Sequence, residues 1–356
     1  VKGNPVRTYL RPTAFIDTPV NFDDQTARLA GGMMFFSAYE IITVANGKRT
    51  ARLVPIDRFD PTDAEAALHV KITAPRAPLT LGERTIRLDQ PQIMGILNMT
   101  PDSFSDGGKH NADPARAAAI GIDMAAAGAA IIDVGGESTR PKAPVVWEGD
   151  EIARTQPVIQ RLTTAGAAVS IDTRKAAVME AALSAGATIV NDVSALMFDT
   201  QALALMARST CPIVLMHSPD AAKTLHDGPM QSDPLIETYD WLEARIEVVV
   251  AAGIDRARII VDPGIGFGKT VAANLAIING LSLFHGLGCP IVLGASRKRF
   301  IGALSNEAPV SDRLGGSIAV VLEGAKQGVQ ILRVHDVPET VQALKIWRGL
   351  RDQALS

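Results

Sequence analysis

Eight apolar runs in this chain of 356 residues each end on a polar side chain, and those side chains divide into two chemical groups. Asn98, Asp133, Asp172, Asn191, His217, Asp262, Lys298, Arg333 and His335 all stand at, or just beyond, the C-terminal end of such a run. Arg140, Arg333 and His335, helped by Asn98, suit a di- or polyphosphate, because a guanidinium meets phosphate oxygens in a two-pronged fork. Asp172, Asn191 and Asp262 offer acceptors and donors to a heterocycle with amino and ring N–H groups, and Lys298 can reach a carbonyl of the same ring. A ligand that joins an aminopyrimidinone ring to a phosphate leaving group fits this division. A single such residue reads as a helix cap or a strand-end turn. One at the end of every run reads as the rim of one site, because a polar group buried without a partner costs free energy.

The elements that must hold this rim repeat from about residue 92. The strand-like runs are 92–98, 130–134, 168–173, 188–193, 212–217, 258–263, 290–296 and 329–336. Helix patterns fill 113–128, 148–165, 174–185, 234–252, 270–280 and 311–327, and another closes the chain at 336–350. The runs are continuously apolar rather than alternating, which means burial on both faces, as in a helix-covered parallel sheet. Eight such units close into a (β/α)8 TIM barrel of about 250 residues, and 92–352 matches that size. A doubly wound open sheet is the alternative; the barrel is preferred because it brings all the run ends to one mouth. Residues 79–88 read as a hairpin that plugs the barrel floor, so the barrel unit is taken as 79–356. Residues 1–78 are a separate N-terminal extension, read as a packing appendage without chemistry. Within it, 38–44 and 50–56 pair across Asn46-Gly47, and Asp63 to Leu68 makes a short helix.

Composition narrows the partners. With 35 Lys and Arg against 38 Asp and Glu, the net charge is −3, which offers no field for nucleic acid. The uncharged stretch between Lys269 and Arg297 contains Asn274, Asn279, His285 and Pro290, and reads as helix, turn and buried strand rather than a membrane span. No basic-then-apolar leader pattern opens the sequence, so a cytoplasmic protein is expected. The two cysteines, Cys211 and Cys289, each open an apolar run and read as buried structural thiols. The segment 264–270 imitates a P-loop, but the required first glycine falls on Pro263, and Lys269 breaks the dinucleotide pattern. Small residues there, and at Gly107-Gly108 and Gly135-Gly136, let backbone N–H groups approach a flat or anionic ligand.

Seven ordered motifs then carry a resemblance. MGILNMTPDSFSDGG (94–108), IDVGGESTRP (132–141), SIDT (170–173), VND (190–192), DPGIGFGK (262–269), GASRKRFIG (294–302) and LRVHDV (332–337) closely resemble the dihydropteroate synthase family over about residues 80–350. The resemblance implies a transferase that joins 6-hydroxymethyl-7,8-dihydropterin diphosphate to p-aminobenzoate, releasing pyrophosphate and making 7,8-dihydropteroate for folate synthesis. It assigns the pterin to Asp172, Asn191, Met216, Asp262, Phe267 and Lys298. The diphosphate falls to Asn98, Arg140, Arg333 and His335, with Mg2+ on Asn98; the catalytic set is Arg140, Lys298, Arg333 and His335. The arylamine falls to Phe104, Thr139, Pro141, Phe267 and Ser296, under loops 99–108 and 136–147. It also implies sulfonamide binding and a homodimer. Ser218-Pro219-Asp220, Arg174 and Arg299 depart from the family's usual pattern. His217 is expected behind the site, and His69, His110, His226 and His285 as ordinary surface or core residues. The rival readings are a pterin-binding methyl-transfer module working with a corrinoid partner, which has no use for cations on a diphosphate, and a non-catalytic paralogue.

Overall fold

Short strands buried on both faces build the centre of the molecule. The computed structural model describes residues 6–100, 113–228 and 232–354. The extension opens with β1 (Arg7–Ile16), β2 (Ala27–Arg28), β3 (Phe35–Ala45) and β4 (Lys48–Pro55), followed by helix α1 (Asp63–Thr73). β3 pairs antiparallel with the other three. The β3–β4 turn is the expected one: Asn46 and Gly47 both take positive φ, 51° and 75°, the twist that a two-residue hairpin requires. α1 runs five residues past the expected Leu68. Thr62 and Glu65 cap each other's backbone N–H groups at its start, a reciprocal pair that fixes the entry. β1 escaped the sequence reading because Pro12 interrupts it; Pro12 sits opposite Tyr39 on an edge strand, where a missing N–H is tolerated.

β5 (Leu79–Leu81) and β6 (Arg84–Ile86) form the floor hairpin. Their Leu79, Leu81 and Ile86 pack with Leu88 and with one apolar residue at or beside the start of each barrel strand, from Met94 to Ile331. Then strands and helices alternate: β7 (Gln92–Asn98), α2 (Pro114–Ala127), β8 (Ile131–Gly135), α3 (Glu148–Thr164), β9 (Val169–Asp172), α4 (Ala176–Ser184), β10 (Ile189–Asp192), α5 (Ala202–Arg208) and β11 (Ile213–Met216). The second half continues with α6 (Pro234–Ala251), β12 (Ile259–Asp262), α7 (Val271–Asn279), β13 (Val292–Leu293), α8 (Arg299–Leu304), α9 (Leu314–Lys326), β14 (Ile331–Val334) and α10 (Val337–Ala354). The eight strands β7–β14 form one parallel sheet, and a bridge between Val261 and Ile291 joins its two edges into the barrel. Helix ends follow local chemistry: Asp113 caps α2, Pro114 occupies its first turn, and Gly128 ends it at φ 119°. The run 290–296 pairs over fewer residues than its sequence proposes, since β13 holds only Val292 and Leu293 in the sheet. α5 and α8 were not anticipated. Among the described residues no helix is long and apolar enough to cross a membrane, and the 269–297 stretch resolves as α7, a buried 3-10 turn and β13. Cys289 is buried, and Cys211 is only half-buried.

The extension docks by specific contacts. Tyr9 donates its hydroxyl to Asp240 on α6 at 2.8 Å, and its ring meets Tyr239 edge-on. Ser282 donates to the Pro12 carbonyl at 2.7 Å, and Arg351 at the chain's end donates to Asp17 and to the Met33 carbonyl, both at 2.7 Å. A small core of its own, with Leu10, Phe36, Tyr39 and Ile72, lies between the sheet and α1.

Candidate active site

Because parallel strands share one direction, the ends of β7, β9 and β14 and the loops after β8, β11, β12 and β13 come together around a cleft of about 1130 Å3. On its floor Arg333 is held by two carboxylates. Its Nε donates to Asp133 Oδ2 and its Nη2 to Asp172 Oδ2, each at 2.6 Å. Asp133, fully buried, also accepts from Asn191 Nδ2 at 3.1 Å. Burial pushes the Asp172 carboxyl up to about 7, with Arg333 pulling it down and Asp133 pushing it up. Burial opposes the charge of Arg333 as well, but Asp133 and Asp172 more than offset this and hold the guanidinium above its ordinary value.

Lys298 lies across the Phe267 ring, its Nζ 4.5 Å from the ring centre, and donates to the Ile265 carbonyl. Burial lowers the Lys298 ammonium to about 8, although Asp262 favours its charge. Burial likewise raises the Asp262 carboxyl against the pull of Lys298, and Asp262 accepts from the Gly264 N–H at 2.7 Å. His335 shares a hydrogen with Ser296 through Nδ1 at 3.1 Å. Burial, then Arg333 and Arg297, lower His335 to about 4, so at neutral pH it offers a hydrogen bond and no charge. The loop 263–269 is drawn close to these groups. Gly266 and Gly268 take positive φ, and a Cβ would lie 2.8 Å from Lys298 Cδ at the first and 2.7 Å from the His226 carbonyl at the second. Lys269, the lysine of the failed P-loop match, points back into its own loop and donates to the Gly264 carbonyl at 2.7 Å.

Asn98, Thr139, Arg140, Pro141, Asp172, Phe267, Ser296, Lys298, Arg333 and His335 all line the cleft. Asn191 and Asp262 are buried beside it through their partners Asp133 and Gly264. Met216 packs with Phe267, Val193 and Leu225 and does not itself line the cleft. Phe104, and with it most of loop 99–108, lies outside the described residues. His217 is buried behind the site, 2.9 Å from Lys269 Nζ and edge-on to Trp241.

Two features were missed. Asp133 was seen only as one rim residue, although its position inside the motif at 132–141 was a signal. His226, expected to be an ordinary surface or core residue, lines the cleft. Arg174, one of the departures, belongs to a buried network with Glu137, Lys175 and Glu151. Arg174 and Lys175 each reach Glu137 at 2.9 Å, and Lys175 reaches Glu151 at 2.6 Å. Burial works against the charge of Glu137, but Arg174, Lys175 and the Val146 N–H hold its carboxyl below the ordinary range. The network therefore ties the 136–147 loop to the start of α4. Lys175→Ala takes the ammonium from buried Glu151, while Glu137 keeps Arg174, and is expected to cost about 3–5 kcal/mol, read from denaturant unfolding. A loss under 1 kcal/mol would show the network to be dispensable.

Comparison with known proteins fixes the family. A profile described as pterin binding enzyme matches residues 94–335. The dihydropteroate synthase of Neisseria meningitidis serogroup B is 43% identical over 274 residues, covering 76% of this chain and 96% of that protein. The chain belongs to the dihydropteroate synthase family. Its Bacillus subtilis member is 41% identical, with 80% of this chain and 93% of that protein covered. Among solved structures, Xanthomonas albilineans dihydropteroate synthase with 4-aminobenzoic acid superposes with a TM-score of 0.72 at 42% identity, over 77% of this chain and 98% of that one. The same enzyme in complex with 7,8-dihydropteroate gives 0.70 at 41% identity, over 78% and 100%.

Proposed function

We propose that this family member condenses 6-hydroxymethyl-7,8-dihydropterin diphosphate with p-aminobenzoate to give 7,8-dihydropteroate and pyrophosphate in folate biosynthesis. The observation that carries the reading is the Arg333–Asp172 pair on the cleft floor, with His335 and Lys298 lining the same cleft: one arginine stands between acceptors suited to a ring and donors suited to a phosphate. In this assignment Asp172, Asn191, Asp262 and Lys298 take the polar edge of the pterin, with Met216 and Phe267 as apolar neighbours. Asn98, Arg140, Arg333 and His335 take the diphosphate. Phe104, Thr139, Pro141, Phe267 and Ser296 take the arylamine.

The reaction is read as a dissociative substitution. The C–O bond between the pterin methylene and the diphosphate breaks, and both electrons leave with pyrophosphate. Arg333 and Arg140 stabilise that growing charge and His335 adds a hydrogen bond. The cation left at the methylene is favoured by the carboxylates around the ring. The arylamine nitrogen then forms the C–N bond and loses one proton to solvent. Closure of the 136–147 loop would keep water from the cation. No side-chain nucleophile is needed.

Among the described residues no cluster of His, Cys, Asp or Glu is suited to a metal. Asn98 at the cleft wall fits a Mg2+ ion that takes most of its oxygens from the diphosphate and water, the habit of that ion with phosphates. Bound so, the ion would neutralise charge on the leaving group. A cytoplasmic homodimer completes the proposal. The corrinoid methyl-transfer alternative is disfavoured by Arg333, His335 and Lys298, all present in the cleft. A direct test is fluorescence titration with 7,8-dihydropteroate: saturable binding that p-aminobenzoate with pyrophosphate displaces is expected, and no binding at all would overturn the reading.

A further inference from the structure

His226 makes two contacts with residues of the arylamine side. Its Nε2 lies 2.8 Å from the Thr139 carbonyl, and its ring stacks on Phe267 with centroids 5.3 Å apart and planes 14° from parallel. It comes from the 217–228 loop after β11, which holds a tight internal fold: the Leu225 N–H donates to the Asp220 carbonyl, and the Asp227 N–H to Thr224 Oγ1. Leu225, with φ of 66°, buries its side chain beside Phe267, Met216 and Val193. A bulky residue takes that backbone region at a cost, so packing must hold it there. The next residue, His226, is thereby aimed at the ring and at the 139–141 segment. A second tie joins the same two loops, since Arg174 bonds both Glu137 and the Lys223 carbonyl.

We propose that His226 is a positioning residue for the arylamine substrate, holding Thr139 and its neighbours in register with the Phe267 ring. This rests on the functional reading above. Both features of imidazole are used: a flat face for Phe267 and a donor at its tip for the Thr139 carbonyl. Glutamine keeps a donor at comparable reach and loses the stack; phenylalanine keeps the stack and loses the donor. These two contacts involve none of Asp172, Asp262 and Arg333, the charged groups assigned to the ring edge and the diphosphate.

Steady-state kinetics on purified wild-type protein, His226→Ala, His226→Gln and His226→Phe tests this, varying each substrate in turn. His226→Ala is expected to raise the KM for p-aminobenzoate about tenfold, the equivalent of one neutral hydrogen bond plus part of a ring contact. The KM for the pterin diphosphate and kcat should stay within about twofold by the same reasoning. Gln and Phe should each recover part of the loss and neither all of it. An unchanged arylamine KM in His226→Ala, or equal increases in both KM values, overturns the proposal. Should the alanine variant fail to fold, the Gln and Phe variants decide by the same split. A wild-type protein that does not couple the two substrates overturns the underlying reading instead, and this inference falls with it.

Discussion

Arg333→Ala is expected to lower kcat/KM for the pterin diphosphate by about 10^3-fold, the scale of losing one charged group aimed at a developing anion. The loss should not be confined to the phosphate. Removing the guanidinium leaves Asp133 and Asp172 without the cation that bonds them both. The Asp172 carboxyl, already raised to about 7 by burial, then rises further, and at neutral pH it is protonated when it should accept from the ring. Binding of a pterin without phosphate is therefore expected to weaken too, by about tenfold, as measured by calorimetry. The stability cost has a sign that can be checked. A carboxyl whose folded value lies above its unfolded one favours the fold at low pH and loses that contribution as pH rises through the folded value. The thermal destabilisation of Arg333→Ala should therefore be largest above pH 8 and shrink toward pH 5. Arg333→Lys cannot bond both carboxylates with one ammonium in the same geometry and should recover little activity. A variant that loses diphosphate affinity alone, with pterin binding intact at pH 7, would contradict the coupling drawn between the two subsites.

Wild-type affinity for a phosphate-free pterin is expected to fall as pH drops below about 7, because burial raises the Asp172 carboxyl to that value and the ionised form is the stronger acceptor for the ring's N–H groups. Above that pH the affinity should level off until Lys298, lowered to about 8 by burial, loses its proton. Asp172→Asn should bind about 10^2-fold more weakly at pH 8, the cost of a charge-assisted hydrogen bond, and its affinity should change less than the wild type's between pH 5 and 7. Calorimetric titration at each pH measures both effects. An Asn variant with the wild-type pH profile would show that another group carries the ring.

Much of this was legible in the chain. The rim residues stood out because parallel barrel strands are apolar on both faces, so Asp172, Asn191, Asp262 and Arg333 interrupt an otherwise uniform pattern. The Asn46-Gly47 turn and the floor hairpin were readable because each needs only neighbouring residues. Contacts set by closure of the barrel were not. Arg333 meets Asp133 and Asp172 from 200 and 161 residues away, and only the register of β7, β8, β9 and β14 brings them together. A two-group division of cations and carboxylates, natural in sequence, therefore becomes one ion-paired floor in space. His226 gave no signal at all, since a lone histidine in a polar loop acquires meaning only from Phe267 and Thr139 across the cleft. The docking of the extension was hidden for a similar reason: Tyr9 finds Asp240 from 231 residues away.

The most direct measurement follows pyrophosphate release and the coupled product together, in the presence of magnesium, with each substrate omitted in turn. Release that requires both the pterin diphosphate and p-aminobenzoate, matched one for one by 7,8-dihydropteroate identified by mass, is the expected result. Pyrophosphate released equally without the arylamine, or no product with both substrates present, would contradict a cleft that seats the two reactants side by side.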